Sequence, residues 1–221
     1  MPSSRTSWTS NSIPFARNRP LHNMIYLFIA YFDLMAISPV QRLQWFAEST
    51  PLLAILIVLV LTYKRNRFSN SSYLMMLIFF SLHVVAAHYT YEGTPFEHWL
   101  KPLFHTKRSN YDRVVHFFFG VLISYPIREL LENTMKFRRV WSYVLPIVFI
   151  AGISGFFEIV EWLAAAIYGK GGEERFIGMQ GDIFDTQKDM AVALVGVLVA
   201  TAAYFVYNSN QKQSCQYPID E

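Results

Sequence analysis

The sequence predicts an all-α protein, a polytopic membrane helical bundle of about six transmembrane helices, and three observations favour this class. Of the 221 residues, 53% are hydrophobic and only 16% are charged, with a mean hydropathy of +0.24, so the chain is more apolar than a soluble domain. The apolar residues form repeated runs that suit helices crossing a bilayer. The longest polar stretches, of roughly 20 residues, leave no room for a separate soluble domain.

The chain divides into a tail, a membrane domain and a second tail. Residues 1–23 are polar and basic, without an acid or an apolar core, which predicts a disordered cytoplasmic tail and excludes a cleaved secretory signal. An organellar transit peptide is the alternative. Residues 24–207 form a single transmembrane helical domain, and 208–221 form a polar C-terminal tail. The predicted spans are 24–37, 52–63, 73–91, 112–127, 140–162 and 190–207.

Prolines and glycines predict where helices begin and where they touch. Residues 40–49 form a short amphipathic piece whose Trp45 suits the headgroup layer. Pro51 is predicted to open the second span, because proline is favoured at a first helical position. In the fifth span, Ala151 and Gly155 lie four residues apart, which predicts a close helix contact.

Six spans place both termini on the same side of the membrane. Lys and Arg are more numerous on that side, so the positive-inside rule predicts that both termini are cytoplasmic. The net charge of +3 reflects these loops. Aromatic and basic residues are not interleaved, so no nucleic-acid partner is expected. The single cysteine, Cys215, excludes an intrachain disulfide.

The stretch 176–200, FIGMQGDIFDTQKDMAVALVGVLVA, carries the strongest functional signal. It places Asp182, Asp185 and Asp189 at the entry of the last span, and charge at membrane depth is costly and usually marks a site. The alternative is that Asp182 or Asp185 only caps the helix. Capping explains Asp189 less well, because it lies one turn deeper on the same face as Asp185.

Alternating helices bring further polar residues to the same outer end of the bundle. Asp112 and His116 are four residues apart, and Glu158 and Glu161 are three apart. Each pair therefore shares a helix face. Such pairs suit either a divalent-metal site or an acid–base pair. The alternatives are that Asp112 pairs with Arg113 or caps its helix, and that His116 only packs. We predict that His116 and Glu158 meet at least one of the other acids in one outer-facing pocket.

The candidate residues fall into three groups. The predicted catalytic residues are Glu158, Asp185 and Asp189. The predicted metal ligands are Asp112, His116, Glu158, Glu161 and Asp182. The other predicted pocket residues are His88, Tyr91, Arg113, Gln180 and Gln187. His83 is expected to pack by hydrogen bonding.

Several of these motifs carry a family resemblance. They are HYTYEGTPFEHW at 88–99, NYDRVVHFFFG at 110–120, YPIRE at 125–129, EIVEW at 158–162 and GMQGDIFDTQKDM at 178–190. With ISP at 37–39 they resemble the YjdF-type family of bacterial inner-membrane proteins. Ala86, Ala87 and Phe184 stand where that family prefers glycines or tryptophan, which leaves the acids intact. The resemblance implies a multi-pass protein of the bacterial inner membrane and supplies no established function.

More distantly, the D-x-x-x-H element and the acidic start of the last helix resemble VanZ-like membrane proteins, which implies a role in the cell envelope. Three functions stay open. A metal-dependent enzyme would act at the outer leaflet on a lipid-linked or envelope substrate, with a divalent metal as cofactor and Glu158 or Asp185 as base. A transporter would bind a cation or proton at the same groups. A non-catalytic binding or assembly protein would use the acids in salt bridges to Arg113, Lys188 or Arg175. The lipid bilayer is the expected partner in each case.

Overall fold

The computed structural model describes residues 8–91, 93–105, 109–168 and 182–216, and within these ranges it is all-helical, as predicted. A single 3-10 turn, Phe15–Arg17, precedes the first α-helix, and a π-helical segment, Leu130–Thr134, continues the fifth. The α-helices are α1 (Arg19–Ala36), α2 (Arg42–Thr62), α3 (Asn70–Tyr89), α4 (Glu97–Phe104), α5 (Tyr111–Glu129), α6 (Trp141–Tyr168) and α7 (Asp185–Gln216).

Five of the described helices are long and apolar enough to cross a membrane: α2, α3, α5 with its π-helical continuation, α6 and α7. Of the six or so predicted transmembrane helices, the described residues therefore support five. Helix α1 has 18 residues but is not among them. Its first turns carry Arg19, His22 and Asn23, and Asp33 lies near its end, so its sequence is less apolar than that of the other long helices.

The second span begins before Pro51, which is earlier than predicted. Helix α2 is continuous from Arg42 to Thr62, so Pro51 lies inside it and the separate amphipathic piece at 40–49 does not form. The interior proline removes one backbone hydrogen bond, and a neighbouring carbonyl is bonded instead by a side chain: Thr50 donates its hydroxyl to the Phe46 carbonyl at 2.7 Å. The prediction that Pro51 opens the helix was wrong, because its neighbours on both sides are compatible with a helix.

Consecutive long helices run in alternating directions, so their ends gather at two ends of the bundle. At one end, which we call the acidic end, α5 and α7 begin and α3 finishes. There the Val40 amide, in the α1–α2 connection, donates to the His88 carbonyl at 2.9 Å. The opposite end is the basic end. There the start of α1 meets the start of α3 through Asn18 and Asn70, whose side chains hydrogen-bond at 2.8 Å. The end of α7 also lies there, where Asn208 donates to the Tyr143 hydroxyl at 3.2 Å.

The closest helix contact joins α5 to α7 through glycines. A Cβ on Gly120 would lie 2.1 Å from the Ala193 carbonyl oxygen, and one on Gly196 would lie 2.3 Å from the Phe117 carbonyl oxygen. Only glycine permits backbones this close, and small residues are what allow membrane helices to pack tightly. Ala193 and Val197 are fully buried at this contact, together with Ile150 of α6. The contact fixes the start of α7 beside the start of α5, which positions the candidate site.

At the basic end, a buried carboxylate ties α5 to α3. Glu129 accepts hydrogen bonds from the backbone amide of Ser69 at 2.7 Å, from the Ser69 hydroxyl at 2.9 Å and from the Ser72 hydroxyl. The start of α6 is held in a similar way, because Ser142 donates to Glu132 at 2.6 Å and accepts from Arg128 at its carbonyl at 3.1 Å. These bonds satisfy helix ends that would otherwise lack partners.

Candidate functional site

Arg113 gathers the three aspartates at the start of α7. It lies in the first turn of α5, which the glycine contact places against α7. Its guanidinium lies 2.8 Å from Asp182, 3.3 Å from Asp185 and 3.8 Å from Asp189. Asp185 and Asp189 are almost fully buried, at 4% and 2% exposure. We call these four residues the Arg113 cluster. Buried carboxylates require a charged partner, and Arg113 supplies it.

Asp182 lies at the edge of this cluster, outside the membrane-spanning segments. Lys188 donates to both of its carboxylate oxygens, at 2.9 Å and 2.6 Å. This hydrogen bond holds the pKa of Asp182 well below its ordinary value, and Arg113 adds to the effect. Asp182 also accepts from the backbone amide of Phe184 at 3.2 Å, so it acts as a cap as well as an ion-pair partner.

His116 forms a second group one turn deeper on α5. Its Nε2 atom lies 3.2 Å from Glu158 of α6 and 3.6 Å from Asp112 of its own helix. Its Nδ1 atom lies 3.3 Å from the Ser154 hydroxyl. His116, Glu158 and Ser154 are all buried. We call these residues, with Asp112, the His116 cluster. The structure thus places His116 and Glu158 in contact, with Asp112 beside them.

The two clusters share an open cleft between α6 and α7, of about 730 Å³. On the α6 side its wall includes Ala151, Gly152 and Gly155, and nothing lies within 4 Å of where a Cβ on Gly152 would stand. The predicted close contact forms at Gly155, whose missing Cβ admits the Met190 side chain of α7, whereas Ala151 borders the cleft. The polar residues that line this acidic cleft are Asp112, Glu158, Glu161, Asp185, Thr186, Gln187 and Asp189.

Two buried carboxylate oxygens in the cleft wall accept no hydrogen bond from the described residues: Oε1 of Glu158 and Oδ1 of Asp189. Each faces a basic side chain only at ion-pair distance, His116 for the first and Arg113 for the second. Buried oxygens of this kind usually have a partner. Both atoms are closed to solvent, so each depends on the neighbouring basic side chain rather than on a ligand in the cleft.

The remaining predicted pocket residues are divided. Glu161 and Gln187 line the cleft. His88 does not join it, because its Nδ1 donates to the Met35 carbonyl at 2.7 Å and so ties α3 to the end of α1. Gln180 lies outside the described residues. Among those residues, no group of three or more His, Cys, Asp or Glu side chains could hold a metal ion. Metal binding by Asp112, His116, Glu158, Glu161 and Asp182 stays a prediction.

A third polar group lies between α2 and α3, where His83 packs by hydrogen bonding as predicted and Glu48 is the member that the sequence analysis missed. His83 Nε2 donates to the backbone carbonyl of Glu48 at 3.0 Å, and the Glu48 carboxylate is 3.8 Å away. The Tyr91 hydroxyl donates to Nδ1 of the same ring at 3.2 Å. Burial raises the pKa of Tyr91 well above its ordinary value, so the phenol keeps the proton that it donates. The signal that could have found Glu48 is a lone acid beside an apolar run.

His83, Tyr91, His116 and Ser154 line a smaller cavity of about 110 Å³, which is otherwise walled by apolar and aromatic side chains. The Phe157 ring lies between the two histidines, with ring centroids 6.3 Å from His83 and 6.1 Å from His116. The cavity and the acidic cleft lie on opposite faces of α6. His116 therefore contacts the cavity on one side and the carboxylates of the cleft wall on the other.

The fold and the buried ionic clusters define a multi-pass α-helical membrane protein. Comparison with known families makes this specific: residues 20–210 match the family described as "Predicted membrane protein (DUF2238)", and the chain belongs to that family. It is 32% identical over 164 residues to the inner membrane protein YjdF of Escherichia coli (strain K12), covering 73% of this chain and 78% of that protein. The YjdF-type resemblance is thus confirmed. No solved structure matches.

Proposed function

We propose that this protein acts by acid–base chemistry on an envelope or lipid-linked substrate that binds in the acidic cleft. Glu158 is the reacting acid or base, because it lines the cleft and its carboxyl group lies 3.2 Å from the His116 ring. His116 lies behind it and is the positioning residue that exchanges the proton, held in turn by the Ser154 hydroxyl. The observation that carries the proposal is this 3.2 Å His116–Glu158 contact in the wall of an open cleft.

The charge of the cleft favours a substrate with a cationic or hydrogen-bond-donating group. Five carboxyl groups line it, and among the described residues Arg113 is the permanent cation in contact with them. Carboxylates this close repel one another, and a bound ammonium or amide group would relieve the repulsion. Asp185 and Asp189, held by Arg113, would position that group. Metal-dependent chemistry is not included in this proposal, because no described group of ligands fits a metal.

The natural test compares membrane extracts from a deletion strain with those from strains that express the wild type or a variant. Lipids and lipid-linked envelope intermediates are measured by mass spectrometry. We expect the wild type to change the abundance of at least one species, and Glu158→Gln to lose that change while still accumulating in the membrane. The matched control is Lys188→Gln, because Lys188 is half exposed and contacts only the edge of the Arg113 cluster. A Glu158→Gln profile equal to that of the wild type would refute the proposal.

A second candidate is a purely structural role for the charges, and the contacts of Arg113 favour it. One guanidinium joins α5 to three carboxylates of α7, which is an effective way to hold two helices together. Under this reading Glu158→Gln changes the thermal stability of the purified protein and leaves the lipid profile unchanged. The two readouts therefore separate the candidates.

The proposal also requires that the acidic end faces outward, with both termini in the cytoplasm. After Cys215→Ser, single cysteines at the exposed positions His98 and Arg138 report the two ends of the bundle. In intact cells, an impermeant thiol reagent should label His98→Cys and not Arg138→Cys. The opposite labelling pattern would place the cleft on the cytoplasmic side.

A further inference from the structure

A second groove separates α6 from α7 at the basic end, far along both helices from the acidic cleft. It encloses about 720 Å³. Its walls are largely apolar, and most of their side chains are exposed on the outside of the bundle. In a membrane that outer surface faces lipid. The apolar wall residues are Val140, Val144, Leu198, Ala202, Phe205 and Val206.

The rim of this groove is basic and rich in hydrogen-bond donors. Arg139 lines it, and the neighbouring Tyr143 hydroxyl raises the pKa of the Arg139 guanidinium. The same hydroxyl accepts from Asn208 at 3.2 Å, so its own proton is left to donate. The nearby acid Glu132 is bonded to Ser142 at 2.6 Å. The rim therefore offers a guanidinium and a phenol hydroxyl to one acceptor.

The groove continues inward from this rim along α7. Thr201 lines it and precedes Asn208 by seven residues, so it lies about 10 Å further from the rim. The Thr201 hydroxyl oxygen itself is buried, so the inner part of the groove offers apolar contacts. The groove thus combines a cationic rim with an apolar floor.

Charge complementarity favours an anionic occupant of amphiphilic shape. The basic end carries many more basic than acidic residues among those described, and its acids, Glu129 and Glu132, are engaged by serines. Basic pockets between transmembrane helices are typical binding sites for anionic headgroups. The described basic residues at this end are Arg17, Arg19, Lys64, Arg65, Arg67, Arg128, Lys136, Arg138 and Arg139.

We propose that this groove binds one anionic phospholipid of the surrounding bilayer, with its phosphate at Arg139 and Tyr143 and an acyl chain along Val144 and Leu198. The apolar floor distinguishes a phospholipid from free phosphate, which would reach only the rim. This site is independent of the function proposed for the acidic cleft.

The test uses the full chain, purified in detergent and depleted of lipid. Native mass spectrometry measures retention of dioleoyl phosphatidylglycerol and of dioleoyl phosphatidylcholine at equal concentrations. We expect preferential retention of one phosphatidylglycerol molecule. Arg139→Gln should lower that preference about fivefold, the effect of one basic residue near an anionic headgroup. The matched control is Arg138→Gln, which removes the adjacent exposed charge outside the groove lining and should keep the preference.

A second variant tests the apolar floor. Ala202 is exposed on α7 and lines the groove, so Ala202→Leu fills space without entering the core. It should abolish retention of the lipid and leave the unfolding temperature in detergent unchanged. Equal retention of both lipids by the wild type, or equal losses from Arg138→Gln and Arg139→Gln, would overturn the proposal. The proposal would also be overturned if glycerol phosphate raised the unfolding temperature as much as phosphatidylglycerol does, because that soluble headgroup has no acyl chain.

Discussion

Arg113→Gln is the substitution whose effect can be worked out most directly from the structure. It removes the guanidinium that lies 3.3 Å from Asp185 and 3.8 Å from Asp189, both of which are almost fully buried. Removing one partner of a buried ion pair costs about 3–5 kcal/mol, because the remaining charge is left uncompensated. For a chain of this length, that corresponds to a fall in unfolding temperature of roughly 6–20 °C.

The assay is thermal unfolding in detergent at pH 8, followed by tryptophan fluorescence. Lys188→Gln is the control, because Lys188 is half exposed and contacts only Asp182, so little change is expected. The double variant Arg113→Gln, Asp189→Asn removes the most buried charge together with its partner. Its loss of unfolding free energy should be smaller, by about 0.5–3 kcal/mol, than the sum of the losses from the two single substitutions.

Two results would refute this reasoning. An Arg113→Gln variant that unfolds within 2 °C, roughly, of the wild type would show that the buried aspartates do not depend on the guanidinium. Strict additivity in the double variant would show that Arg113 and Asp189 do not interact.

Three other predictions rest on single contacts. Gly120→Ala places a Cβ 2.1 Å from a carbonyl oxygen of α7 and should destabilise the fold by about 1–3 kcal/mol. The control is Gly152→Ala, whose Cβ meets no atom within 4 Å, and this variant should unfold at the wild-type temperature. Glu97 accepts hydrogen bonds from two backbone amides at the start of α5, at 2.9 Å and 2.8 Å. Glu97→Ala should therefore lower the free energy of unfolding by about 0.5–2 kcal/mol, and Glu97→Gln, which keeps an acceptor, should lower it less. The pKa of Asp182 is lowered in the folded state by Lys188, so its stabilising effect is present above about pH 4 and is lost on acidification below it. The wild type should therefore lose more stability than Asp182→Asn between pH 5 and pH 3, roughly, and parallel curves would contradict the assignment.

The acidic end could be predicted from the sequence because its residues are spaced by helix turns. Asp112 and His116, or Asp185 and Asp189, must share a face once each helix is assigned, and the bilayer disfavours turning such a face toward lipid. Alternating spans then bring these faces to one depth. The contact between His116 and Glu158, at 3.2 Å, is a consequence of those two constraints.

Which helices touch could not be read from the spacing of small residues alone. Ala151 and Gly155 have the spacing of a packing motif, yet Ala151 borders the cleft, while Gly120 and Gly196 lie in two helices that are not consecutive and make the closest contact. One sequence carries no information on pairing between distant segments. The partner of a glycine depends on how the whole bundle packs.

Glu48 and Glu97 were missed for a different reason. Each is a single acid whose partners are distant in sequence: His83 is 35 residues from Glu48, and Glu97 reaches Asn110 over 13 residues. Neither shows a local spacing that predicts a contact. A rule that every acid near an apolar run needs a named partner would have selected Glu48 for attention.

The sequence separation within the Arg113 cluster has a consequence for biosynthesis. Arg113 enters the membrane with α5, whereas Asp182 and Asp185 are added 69 and 72 residues later. Until then, the arginine at the start of α5 and the glycine face of that helix have no partner from α7. The Arg113 cluster is therefore completed only when α7 has been synthesised. A chain that stops before residue 182 would leave the Arg113 guanidinium without any of these three carboxylates at membrane depth, where an unpaired charge is costly.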